Sequence, residues 1–188
     1  MRRIIDLGDL KTEYVICSCE GAAEEALMDI LLDNNCLLFS RENLVGHKVT
    51  RKRKAVEIQQ EFLNRDYSPH RAIVVRILDS RSEKFKLSAL YAERHDVYTI
   101  RTTPEIEMLL IIAEGKAAAF RQQSKSKIKP SEYCKSVLKM GNRVKSRNFW
   151  LEYFVDINML LQVIRQYHQT KSDKSELSIY DLLKEEYR

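Results

Sequence analysis

Glycine and proline are scarce in this 188-residue chain, at 5 and 3, which argues against collagen-like, loop-rich and short-strand sandwich designs. No apolar run approaches the ~18 residues that a membrane span needs. The opening MRRIIDLGDL lacks the apolar core of a secretory signal. The four cysteines, at 17, 19, 36 and 134, form no CxxC and no Cys/His pair with zinc spacing. They read as reduced thiols, and the expected setting is cytoplasmic, away from membranes. Neither GxxxxGKS/T nor GxGxxG occurs, so nucleotide binding of the P-loop or Rossmann type is not expected. No serine has the GxSxG surroundings of a hydrolase nucleophile. The four histidines, at 47, 70, 95 and 168, pair with no Cys, Ser or second His at useful spacing.

What the chain does have is an ordinary globular balance, 44% hydrophobic and 31% charged, enough to bury a core without disulfides. Its charge is segregated. Net charge is +5, yet residues 41–54 alone carry +5 and residues 121–147 carry +8, which leaves −8 on the rest. Two basic blocks on an acidic body favour a polyanion partner over a uniformly solvated surface.

Hydrophobic periodicity predicts strands at 14–19 (YVICSC), 36–39 (CLLF), 71–78 (RAIVVRIL) and 95–100 (HDVYTI). Helices are expected over 22–32, 55–63 and 82–92, and from Thr103 as N-cap and Pro104 as first residue to Glu114. This alternation calls for an α/β fold, a mainly parallel four-stranded sheet flanked by helices, over residues 1–120. Residues 121–188 read as a basic connection and C-terminal amphipathic helices packed on that sheet. Trp150, Phe154, Ile157, Leu161 and Ile164 fall on one helical stripe, and a last helix is expected over 176–187. Trp150 belongs to that stripe rather than to a base-stacking surface.

In open parallel sheets ligands bind beyond the carboxyl ends of the strands. Two expected strands end there in an acid, Glu20 and Asp79. Such a pair can hold a hard cation such as Mg²⁺, which takes one or two carboxylates plus waters and phosphate, and can serve phosphoryl transfer. Each acid can equally well cap the helix after it.

The segment Cys19-Glu20-Gly21-Ala22-Ala23-Glu24-Glu25 resembles the EGxxEE opening of Toprim-like proteins, although many of those carry Thr where this chain has Ala23. The strand that ends in Asp79 resembles their DxD strand. Pro104-Glu105-Ile106-Glu107 resembles the short Glu motif of the RloB-like branch found in bacterial defence islands, with the OLD-family nucleases as further relatives. The resemblance covers roughly residues 13–115. It implies a Toprim-like fold and Mg²⁺ (or Mn²⁺) held by Glu20 and Asp79, with Glu24 one helical turn on as a further catalytic carboxylate. The second acid of DxD would fall at Arg81. Either Glu105 or Glu107 replaces it, or the domain binds without cutting; Arg81 itself could pair with Asp79 or clamp a phosphate.

The resulting expectation is Mg²⁺-dependent, nuclease-like phosphoryl transfer on nucleic acid, in phage defence, with a partner protein encoded in the same operon. Arg51, Lys52, Arg53, Lys54, Arg81, Lys125, Lys127, Lys129, Arg143, Lys145 and Arg147 are the candidate phosphate contacts. A non-catalytic binding module with a degenerate metal site is the alternative. A homodimer through the C-terminal helices is a third.

Overall fold

The computed structural model describes residues 7–123, 128–170 and 175–188. Three strands, β1 (Tyr14–Cys19), β2 (Ala72–Leu78) and β3 (Asp96–Arg101), form an open, all-parallel sheet in the order β1-β2-β3. The helices are α1 (Ala22–Asp33), α2 (Ala55–Ile58, continued by a wider π-type turn over Gln59–Leu63), α3 (Ala89–Ala92), α4 (Met108–Ala113), α5 (Ala117–Gln123), α6 (Pro130–Ser136), α7 (Arg147–Tyr153) and α8 (Ile157–Thr170).

Central β2 is buried along its whole length, which explains why its sequence is a near-continuous apolar run. Alternation of side chains divides the sheet between two clusters. Val15, Cys17, Cys19, Ile73, Val75, Ile77 and Ile100 join the larger one, which also takes the apolar faces of α1, α4, α7 and α8. Ile16, Ala72 and Val74 join a smaller one with Ile58, Phe62, Leu63 and Leu87. All four cysteines are free and buried. Cys19 stands opposite Ile77, and Leu78 opposite Arg101. The three strands therefore end level, and the residues just past their carboxyl ends emerge on one rim.

Among the described residues the sheet has three strands, not the four expected. CLLF is buried but makes only a single antiparallel bridge, Leu37 to Leu183. The Leu38 N–H donates to the Leu182 carbonyl at 2.9 Å, and the Lys184 N–H donates to the Cys36 carbonyl at 2.9 Å. Its backbone thus answers to the C-terminal segment rather than to the sheet. The free edge of β1 is taken by the basic stretch instead. The Val15 N–H donates to the Asn43 carbonyl (2.8 Å), Cys19 to Thr50 (2.9 Å) and Thr50 to Cys17 (2.9 Å). Contact at two separated points covers this edge without making a strand.

Other boundaries move for tertiary reasons. Of the helix expected over 82–92 only α3 forms. Arg76, 3% exposed within β2, needs a counter-ion. Glu83 supplies it, while the Phe85 ring lies 4.1 Å from the guanidinium carbon. Holding both partners draws 82–88 into an irregular, non-helical path. The helix expected from Pro104 begins at Met108, because 105–107 form tight turns that bury Ile106 and leave Glu105 and Glu107 on the rim. The long C-terminal stripe is broken at Phe154. Asp156 starts α8 by accepting the Asn158 N–H at 2.9 Å. The last expected helix is two short 3-10 turns, Ile179–Leu182 and Glu185–Tyr187, the first set by reciprocal hydrogen bonds between Ser178 and Asp181.

Trp150 and Phe154 are fully buried, and the Trp150 indole N–H donates to the Val144 carbonyl at 2.7 Å. The apolar stripe that suggested a dimer is therefore covered by the chain's own α1 and α4. None of the helices among the described residues is long and apolar enough to cross a membrane.

Candidate functional site

Glu20 comes directly after β1 and Asp79 directly after β2, so the parallel register places them side by side. The Glu20 N–H donates to the Ile77 carbonyl at 3.0 Å, and the Asp79 N–H donates to Glu20 Oε2 at 3.1 Å. Glu24 sits in the first turn of α1, where the helix dipole favours a carboxylate. Its Oε2 would lie 2.9 Å from a Cβ on Gly21, so the absence of a side chain at Gly21 leaves room for it. Glu105 and Glu107 come from the turns after β3. Glu105 Oε2 accepts the Ser131 N–H at 2.8 Å. All five carboxylates line one cavity of about 400 Å³, and Arg51 and Lys145 complete its wall.

Crowded carboxylates away from bulk water resist ionisation. Burial, with Glu107, Asp79 and Glu20 nearby, raises Glu24 to about 7. Burial and the neighbouring Glu20 raise Asp79 to about 6. Glu107 is also raised, by burial and by Glu105 and Asp79, against the pull of Lys145. Glu20 goes the other way. Burial opposes its ionisation, but hydrogen bonds from Asp79 and Ser80 and the charge of Arg53 outweigh burial and lower it. Glu20 and Asp79 thus behave as one pair, with the negative charge favoured on Glu20.

Arg53 bonds Glu20 Oε1 through Nη1 at 2.8 Å. It also lies 3.8 Å from Glu83, itself tied to buried Arg76. Beside this contact runs a second groove of about 460 Å³, lined by Arg51, Arg53, Lys54 and Lys84 with Glu57 and Glu83. Arg51 belongs to both cavities, so the basic groove opens onto the acidic rim.

The remaining predicted cations are spread more widely. Lys52 pairs with Glu61. Arg147 braces α7 to α1 through Asp29 at 2.7 Å, and Arg143 rests over the Phe149 ring. Lys129 precedes α6 and is exposed. Arg81 bonds neither Asp79 nor the rim; it pairs with Glu176 at 2.9 Å. Lys125 and Lys127 lie outside the described residues.

A larger cavity, about 780 Å³, lies at the opposite end of the sheet among Tyr67, Arg71, Tyr91 and His95. Its Arg71 is already paired with Asp9, Glu13 and Asp96. It also holds none of the strand-end acids, so the acidic rim is the better candidate.

In kind, the rim suits a hard divalent cation. Its carboxylates offer oxygen donors, and burial together with mutual crowding raises three of them. It is not a ready-made cage. Both Glu20 oxygens are engaged, and among the described residues no group of three or more His, Cys, Asp or Glu is arranged to hold an ion.

No protein-family model, curated protein or solved structure matches the chain significantly. Sequence pattern missed Lys84 in the groove, and Arg76 and Glu83 beside the site. Arg76 carried a signal, a charge inside an apolar strand. Glu83 carried none, since its place is fixed by Arg76.

Proposed function

We propose that the chain is a Toprim-like protein that carries out cation-assisted phosphoryl transfer on nucleic acid. One observation supports this reading above the others: five carboxylates from the segments that follow three parallel strands share a cavity with Arg51 and Lys145, next to a basic groove. Glu20 and Asp79, with Glu24, Glu105 or Glu107, would hold Mg²⁺ or Mn²⁺, and the ion would supply charge neutralisation and polarisation of the phosphate. The chain's own residues do the rest. Arg51 and Lys145 meet phosphate charge as it approaches. Glu24, titrating near neutrality, accepts a proton from an attacking water. Arg53 and Lys54 track the strand backbone. The phage-defence setting and a partner protein rest on the sequence resemblance alone.

The test is cleavage of plasmid DNA and of RNA with Mg²⁺ or Mn²⁺ by the parent chain, Glu20→Ala and Asp79→Ala. Loss in both variants, with circular dichroism unchanged, is the expected result. Undiminished cleavage in either variant rejects the reading. The engaged state of Glu20 favours one alternative, a module that binds nucleic acid without cutting. Salt-sensitive binding with no cleavage under any divalent ion would select it.

A further inference from the structure

We infer that Arg53 is a built-in counter-ion for the acidic rim, and that a polyanion in the basic groove frees Glu20 by drawing Arg53 away. This rests on the cation-site reading above and adds a coupling between two ligands. The observations are geometric. Arg53 Nη1 lies 2.8 Å from Glu20 Oε1, and the Asp79 N–H occupies the other oxygen. Each Glu20 oxygen in this arrangement already accepts one hydrogen bond, so an ion meets a carboxylate whose charge is partly answered. The Arg53 side chain is 42% exposed and that of Glu20 24%, so the guanidinium is the reachable partner. It also lines the groove with Arg51, Lys54 and Lys84, where a phosphate backbone would lie.

Guanidinium bonds phosphate oxygens at least as well as carboxylate, often through two parallel N–H groups. A strand seated in the groove therefore competes with Glu20 for Arg53. Glu83 stays fixed by Arg76 beneath, so the shift is confined to one long side chain. Loss of Arg53 removes the guanidinium bonded to Glu20 Oε1, which raises the affinity of the Glu20 and Asp79 pair for a divalent ion. Linkage makes the effect reciprocal: the ion must tighten polyanion binding by the same factor. The rim would then hold an ion several-fold more weakly until substrate arrives.

Mn²⁺ binding to the full chain, read from the free-ion electron paramagnetic resonance signal, tests this without any turnover. The probes are Mn²⁺ alone and Mn²⁺ with a short phosphorothioate oligonucleotide. Arg53→Gln should bind Mn²⁺ about fivefold more tightly than the parent. The oligonucleotide should tighten Mn²⁺ binding to the parent by a similar factor and leave Arg53→Gln unchanged. Lys86→Gln removes the same charge at an exposed position that lines neither cavity and should bind Mn²⁺ alone as the parent does. Equal or weaker Mn²⁺ binding by Arg53→Gln, or an oligonucleotide effect that survives in it, overturns the coupling while leaving the cation site standing. Binding by the parent and Arg53→Gln no stronger than by Glu20→Ala/Asp79→Ala, with or without oligonucleotide, overturns both.

Discussion

Replacing Glu24 by Gln isolates the electrostatic cost of the acidic rim. An ordinary glutamate titrates near 4.5, whereas Glu24 is raised to about 7 by burial and by Glu107, Asp79 and Glu20. Between those values the folded chain holds a proton that the unfolded chain has released. The associated stability is complete below about pH 4.5 and is lost as pH rises through 7. At about 1.4 kcal/mol per pH unit, the gap corresponds to about 3 kcal/mol. That is a sizeable share of a typical domain's ~5–15 kcal/mol. Asp79 and Glu107 are shifted in the same direction, so the parent should lose at least this much between pH 4 and pH 8. Gln keeps the shape of Glu24 and removes its titration. Urea unfolding of both proteins at intervals across that range should show a curve for Glu24→Gln flatter by about 3 kcal/mol. Parallel curves would mean that crowding the carboxylates costs nothing in the fold, and the electrostatic account of the rim would fall.

Two further outcomes probe the scaffold. Glu83→Ala leaves the Arg76 guanidinium buried without its carboxylate and should cost about 3 kcal/mol, while Arg76→Met combined with Glu83→Ala should restore most of it; chemical denaturation reads both, and an additive loss in the double variant would contradict the pairing. Phe154→Asp places a carboxylate at a site 1% exposed and should cost at least about 4 kcal/mol, seen as a collapse of the thermal transition. A variant that stays folded and changes only its light-scattering mass would instead return that face to a dimer interface.

The parallel α/β core was legible in the chain, because the strand signals of YVICSC and RAIVVRIL and the helical stripe from Ala23 to Leu31 arise from local side-chain periodicity. So were the acids to watch. A carboxylate just past a buried strand in a parallel sheet has one rim to emerge on, so Glu20 and Asp79 could be paired across 59 residues. Periodicity fails where long-range partners override local preference. CLLF has the composition of a strand, but its hydrogen bonds go to residues 182–184. Residues 82–88 have the pattern of a helix and are drawn out to meet Arg76. Asp156 divides a stripe that reads as continuous. Which cation serves which acid emerged only from the folded chain, with Arg53 on Glu20, Arg81 on Glu176 and Arg147 on Asp29. A run of basic residues specifies charge at long range, while the pairing of a flexible side chain depends on which carboxylate the fold brings within about 3 Å of it.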